Sequence, residues 1–149
     1  MLNQTETQFD KVAEEYDFVN AFLNDYSFFL SNMPPKKGRA LDIGCGSGLL
    51  VEKLAGYYDE VVGIDISSQM LDLAKSKRQL RNTIFLKMDA ERLTFNKKFD
   101  YIVSRTTFHH LNDIASVVQQ MKELLNEEGR IVILDNVSEV ETPPTYVYI

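Results

Sequence analysis

Apolar residues return along this chain with two different periods. Five short stretches are apolar almost throughout: Arg39 to Ile43, Glu60 to Asp65, Thr83 to Met88, Phe99 to Ser104 and Arg130 to Asp135. Bounded runs of this length suit strands buried on both faces, as in a parallel sheet. Between them the spacing turns helical. Ile114, Val117, Val118, Met121, Leu124 and Leu125 fall on one helical face, started by Asn112 or Asp113 and stopped by Gly129. Leu49 to Ala55 forms a second helix, and Ser68 to Arg78 a third, capped by Ser67 and broken at Asn82. Ahead of the first strand, Phe9, Val12, Ala13 and Tyr16 predict a short amphipathic helix. Another follows with Phe22, Tyr26, Phe29, Leu30 and Met33, ended by Pro34-Pro35, and Lys36-Lys37-Gly38 leads into the strand. Strand and helix in alternation predict an α/β fold: a doubly wound, Rossmann-like, mainly parallel sheet with N-terminal helices.

The first strand runs into Gly44-Cys45-Gly46-Ser47-Gly48, with glycine at alternate positions, and a helix leaves it. Glycine lets the backbone turn tightly and lie close to a ligand, although such loops also serve as plain turns. A strand, a glycine-rich turn and a helix in this order open a nucleotide-binding α/β sheet. A dinucleotide fingerprint starting at Gly44 would need a glycine where this chain has Leu49. Asp42, just before the loop, would repel a pyrophosphate and attract a ligand bearing an ammonium and a sulfonium. The second strand ends in Asp65, 21 residues beyond Gly44. A carboxylate there can accept hydrogen bonds from both hydroxyls of a ribose. Its other possible use is as a helix cap, which Ser67 already supplies.

At 149 residues the chain is long enough for one domain with a real core, and 44% hydrophobic residues argue against disorder. The net charge of −6 and the absence of a basic run with interleaved aromatics exclude nucleic acid as the expected partner. Lys75 to Arg78 is a basic cluster in the last turn of a helix, where cations meet the helix dipole. The one cysteine, Cys45, allows no internal disulfide and suits a small filler of a tight turn. No apolar run approaches the ~20 residues that span a bilayer, and Met1 to Glu6 lacks the parts of a signal peptide. The expected location is cytoplasmic, with no membrane partner.

The stretch Leu41-Asp42-Ile43-Gly44-Cys45-Gly46-Ser47-Gly48 resembles the first motif of the class I S-adenosylmethionine-dependent methyltransferases. The resemblance extends over Phe9 to Asp135. It implies S-adenosylmethionine as cofactor and transfer of its methyl group to a small-molecule acceptor. The alternative is a non-catalytic domain that binds the cofactor and acts through a protein partner. Phe9 to Asp17 looks like the leading segment that folds over the cofactor in small-molecule methyltransferases, where Tyr16 is either a cofactor contact or core. The resemblance implies that Asp42, Gly44, Gly46, Gly48 and Asp65 surround the cofactor. It implies that Asp89, beside Ala90, hydrogen-bonds the adenine amino group, while Ile66 and Met70 supply an apolar face for the ring. The other use of Asp89 would be as an ordinary loop acid. Ser104 opens the loop through Leu111 that should lie beside the transferring methyl group. In this loop His109 and His110 are the only histidines, and either could act as a general base. Adjacent histidines rarely converge on one ion and no third ligand is obvious, so no metal is expected. Methyl transfer needs alignment and shielding of the nucleophile rather than a covalent residue.

One domain over 1–149 is expected: a helical lid over 1–37, a core over 38–136 and a tail over 137–149. The family pattern has seven strands in the order 3-2-1-4-5-7-6, and this chain ends soon after the fifth, in the order 3-2-1-4-5. A bare fifth strand invites pairing. Either Tyr146 to Ile149 returns along it, or two copies cover each other as a homodimer through the edge or tail, which is the favoured expectation.

Overall fold

A computed structural model describes residues 26–135, and the backbone of 145–148. Their core is a six-stranded sheet in the order β3-β2-β1-β4-β5-β6. β1 (Arg39–Ile43), β2 (Glu60–Asp65), β3 (Thr83–Lys87), β4 (Phe99–Arg105) and β5 (Leu125–Asp135) run parallel; β6 (Thr145–Tyr148) is antiparallel to β5. The expected parallel order is therefore present. Among the described residues four helices flank it: α1 (Ser27–Ser31), α2 (Leu49–Ala55), α3 (Ser68–Arg78) and α4 (Ile114–Glu123). Among the described residues no helix is long and apolar enough to cross a membrane.

Side chains of a strand alternate between faces, and here both faces are buried. Ala40, Val61, Tyr101, Val103 and Val132 meet α1, α2 and α3 on one side, through Phe29, Leu50, Val51, Leu54, Leu71 and Ala74. Leu41, Ile43, Val62, Ile64, Ile102, Ile131 and Ile133 meet Val117 and Met121 of α4 on the other. This is why the strands read as unbroken apolar runs. Asp42 shares the parity of Ala40, so the same alternation carries its carboxylate to the α2 side.

Polar anchors close the lower end of the sheet. Asp100, 3% exposed, accepts hydrogen bonds from the backbone N–H groups of Gly38 (3.1 Å) and Arg39 (3.0 Å) and from Asn126 Nδ2 (3.0 Å). A side chain at position 38 would run into that carboxylate, since a Cβ would lie 2.6 Å from Asp100 Oδ2. The fully buried Tyr101 donates its hydroxyl to the Phe29 carbonyl at 2.7 Å and so ties α1 to the sheet.

One expectation changes. α4 ends at Glu123 rather than Leu125, and β5 starts immediately after its cap. The pairing jumps from Phe99 with Leu125 to Tyr101 with Arg130, so the intervening residues bulge out of the ladder. Glu128, not Gly129, takes the left-handed conformation there (φ 63°). Gly129 is small because a Cβ would sit 2.8 Å from the Leu125 side chain. Of the two covers expected at the sheet edge, the local return is present: residues 145–148 pair with Val132 to Asp135 and occupy the outer edge of β5. A strand from the same chain forms this pairing at far higher effective concentration than a second copy could.

Cutting the chain after Asn136 removes β6 and bares the backbone of Ile131 to Leu134. Light scattering should then show self-association that the intact chain lacks. Two equally monodisperse monomers would mean that β6 does not protect this edge.

Candidate active site

The strands end together, and a cavity of about 340 Å³ opens over the carboxyl ends of β1, β2 and β4, the usual ligand position in an open α/β sheet. Its floor is the turn after β1. The Ile64 carbonyl accepts from both Gly44 N and Cys45 N (2.9 Å each). The next residue, Asp65, accepts from Gly46 N through Oδ2 (2.8 Å) and from Ser67 N through Oδ1 (2.9 Å). Ser67 Oγ in turn caps α3 at Met70 N (3.1 Å). The end of β2 thereby fixes the glycine turn and the start of α3.

The three glycines serve different ends. A Cβ at Gly44 would strike Thr107 Oγ1 at 2.0 Å, and one at Gly48 the Phe85 ring at 2.8 Å, so both are packing glycines. At Gly46 a Cβ would meet nothing within 4 Å, yet φ is +54°. The turn there lies open to the cavity. The Cys45 thiol is buried and its pKa is pushed well up, first by burial and then by Asp65 and Asp42. That makes it an inert filler.

Asp42 is 2% exposed and lines the cavity. Burial, then the charge of Asp65, pushes its pKa up to about 8, with Arg105 pulling the other way. Beyond β3, Asp89 Oδ1 accepts from Glu91 N at 2.9 Å, which holds that turn. Glu91 then reaches the far wall, its carboxylate accepting from Asn112 N (3.0 Å), Asp113 N (2.8 Å) and Asn112 Nδ2 (3.2 Å).

The exit from β4 is strained. Thr106 is β-branched and has φ +53°, a conformation costing on the order of 1–3 kcal/mol. Its N–H donates to the Leu134 carbonyl (2.8 Å) and its hydroxyl to the Arg105 carbonyl (2.8 Å). A 3-10 turn, Phe108–His110, follows. Asp135 accepts from His109 N (3.0 Å) and lies 2.6 Å from His109 Nδ1. The two histidine rings are 3.8 Å apart. His110 has its pKa lowered, first by burial and then by His109, against the pull of Asp135.

Of the residues expected at the site, Asp42, Gly44, Gly46, Asp65, Ile66, Met70, Asp89, Ala90 and His110 line the cavity. Gly48, Ser104 and His109 do not. Ser104 is fully buried and donates to the Ile43 carbonyl (2.9 Å), a strut between β4 and β1. His109 stands behind His110, turned onto Asp135. Tyr16 lies outside the described residues. Tyr26 and Glu91 line the cavity as well and were not singled out from sequence; Arg105, Thr106 and Thr107, expected only as part of the loop from Ser104 to Leu111, line it too. A cation closing the fourth strand was the available signal for Arg105.

The methyltransferase domain family matches residues 41–133, which carry every cavity-lining residue except Tyr26. The chain belongs to the class I S-adenosylmethionine-dependent methyltransferases. Among relatives of this methyltransferase, the malonyl-[acyl-carrier protein] O-methyltransferase of Bacillus anthracis is 29% identical, over 87% of this chain and 52% of its own. The ubiquinone biosynthesis O-methyltransferase of Pelagibacter ubique is 34% identical over 74% of this chain and 47% of its own. An S-adenosylmethionine-dependent methyltransferase of Clostridium acetobutylicum shares the fold, with a TM-score of 0.72 at 24% identity, over 86% of this chain and 57% of that one. The chain spans about half the length of the curated relatives it matches.

The raised pKa of Asp42 has a consequence for stability. The unfolded chain releases this proton near pH 3.8 and the folded chain near 8, so between those values the folded state holds the extra proton. Folding stability from this group therefore falls as pH rises through the window, by up to about 1.4 kcal/mol per unit. Asp42→Asn does not titrate. Its ligand-free melting temperature should match that of the parent near pH 4 and exceed it by several degrees at pH 8. Superimposable melting curves at pH 8 would show that Asp42 is held there without cost.

Proposed function

We propose that this chain binds S-adenosylmethionine in the cavity and methylates a small-molecule acceptor. The observation that carries this reading is the turn at Gly46: a left-handed residue, open to the cavity, beside a buried carboxylate and a second one aligned by two backbone donors. Asp65 accepts from Gly46 and Ser67 through different oxygens, so its carboxylate is held with both oxygens oriented, and each carboxylate oxygen has more than one acceptor site, which suits the two hydroxyls of a ribose. Asp42 would face the cationic end of the cofactor, against the turn at Gly44 and Gly46. Asp89 and Ala90 would take the adenine edge, with Ile66 and Met70 against its face. Residues 1–37 act as a lid in this reading, and Tyr26 of that segment lines the cavity.

When bound, the cofactor supplies a methyl group activated by a sulfonium. The protein's part is alignment, exclusion of water and care of one proton. His110 is the proton acceptor in this reading, because it faces the cavity and its pKa, lowered first by burial, keeps the imidazole neutral at physiological pH. His109 buttresses it and is not itself placed against the acceptor. The relatives named above support a small-molecule acceptor. A single cysteine, kept as a thiol, fits a cytoplasmic location. Any self-association would use β6, now the outermost strand, rather than β5.

Calorimetry should show binding of S-adenosylmethionine and S-adenosylhomocysteine but not of NAD. Comparable affinity for NAD would overturn the reading. Asp65→Ala should weaken cofactor binding tenfold or more, since charge-assisted hydrogen bonds contribute about 1.5–3 kcal/mol each. The same change orphans Gly46 N and Ser67 N, so the ligand-free protein should also melt lower. Unchanged binding in Asp65→Ala would limit Asp65 to holding the turn.

A further inference from the structure

The segment that carries His110 has little packing of its own. Phe108 is buried, but the residues from His109 to Asp113 are half-buried or exposed. A short surface segment of this kind keeps one shape only where polar groups tie it down. Its two ends are tied by acids from separate parts of the fold. At one end Asp135, the last residue of β5, accepts from His109 N (3.0 Å). At the other, Glu91 Oε1 accepts from Asn112 N (3.0 Å) and Asp113 N (2.8 Å), and Oε2 accepts from Asn112 Nδ2 (3.2 Å). His110 and Leu111, which line the cavity, lie between these anchors.

Glu91 can serve as an anchor because it is itself fixed. Its N–H donates to Asp89 Oδ1 (2.9 Å), and its carbonyl accepts from Gln120 Nε2 (3.1 Å). Gln120 Oε1 accepts from Leu93 N (3.0 Å), so one side chain of α4 grips the segment after β3 at two points. From that base the carboxylate reaches the residues that start α4, where a negative charge also meets the positive end of the helix dipole. Asp113 caps the same helix by accepting from Ser116 N (3.0 Å). Hydrogen bonds to an ionised carboxylate are the stronger kind. They join the wall that carries Asp89 to the wall that carries His110.

We propose that Glu91, although it lines the cavity, is a positioning residue: by holding Asn112 and Asp113 it fixes His110 and Leu111 against the ligand space. Its bearing on proton transfer rests on the reading of His110 given above, whereas the positioning does not. The test follows the two histidine ring signals by NMR, told apart with His110→Gln, together with amide exchange over residues 110–113. The ligand-free parent is compared with Glu91→Ala, Glu91→Asp and Glu91→Gln. Asn112 and Asp113 lose an acceptor in Glu91→Ala and exchange faster whatever its role. The deciding amides are those of His110 and Leu111, whose acceptors are the Thr107 and Phe108 carbonyls (3.0 Å each). They should exchange about fivefold faster or more in Glu91→Ala as the segment opens locally, and the His110 ring signal should shift. Glu91→Asp keeps the charge but loses the reach, so it should follow Glu91→Ala, and it decides the matter if Glu91→Ala does not fold. Glu91→Gln keeps an oxygen for the two backbone donors and should stay close to the parent in every readout, including calorimetry with S-adenosylhomocysteine. His110 and Leu111 unchanged in both Glu91→Ala and Glu91→Asp would overturn the proposal and leave Glu91 a cap for two amides. So would a loss of about tenfold in S-adenosylhomocysteine affinity in Glu91→Gln with the segment's signals unchanged, the mark of a direct charge-assisted contact to the ligand. The exchange and ring signals are read without ligand. A parent that binds no S-adenosylhomocysteine therefore defeats the cofactor reading alone, and these signals still decide the positioning.

Discussion

Two consecutive residues at the end of β2 accept four backbone hydrogen bonds, and the site is built around them. The Ile64 carbonyl takes Gly44 N and Cys45 N; the Asp65 carboxylate takes Gly46 N and Ser67 N. A turn with three residues at positive φ has no regular ladder to satisfy its donors, and buried donors left unpaired cost about 1–3 kcal/mol each. Neighbouring β2 supplies the missing acceptors, which is possible only because β1 and β2 lie parallel and in register, Ile43 beside Ile64. The position of Asp65 is thus set by the fold's own need for acceptors before any ligand is considered.

Charge is arranged against this floor at some expense to the ligand-free protein. Asp42 is buried with its carboxylate beside another acid, and Thr106 holds a backbone conformation that β-branched residues avoid. Both features lie on the cavity wall rather than in the apolar core, where strain would serve no ligand. The opposite wall is cheaper. Glu91 and Asp135 each hold a loop by accepting more than one donor, and through Asp135 the end of β5 steadies His109 and, in front of it, the His110 ring that faces the cavity.

The far edge of the sheet obeys a different constraint. A parallel strand at an edge exposes a row of unpaired backbone groups, and β5 meets this with a short antiparallel strand drawn from the same chain. At the opposite edge β3 keeps Ile84 and Leu86 partly exposed, 39% and 38%. The apolar cover of the sheet is thus unequal. It is complete over β1, β2 and β4, the strands that carry the site.

Hydrophobic period alone determined the strands, their parallel character and the helices between them, because strands buried twice over leave unbroken apolar runs and helices leave a stripe; the order of the strands followed only from the family resemblance. The glycine turn, Asp42 and Asp65 were legible for a related reason. Their chemistry is local to one strand–turn–helix unit, so spacing along the chain fixes their spacing in space. What sequence could not determine was where side chains from separate units face each other. Ser104 reads like a site residue until the sheet packs its hydroxyl onto Ile43, and His109 looks equivalent to His110 until Asp135, 26 residues on, takes hold of it. The junction of α4 with β5 misled in the same way: Gly129 looked like a helix stop, but contact with Leu125 is what demands its small size. Arg105 and Thr106 acquired meaning only when β4 was set beside β1, since a charge or a strained angle has its consequence in what lies across from it.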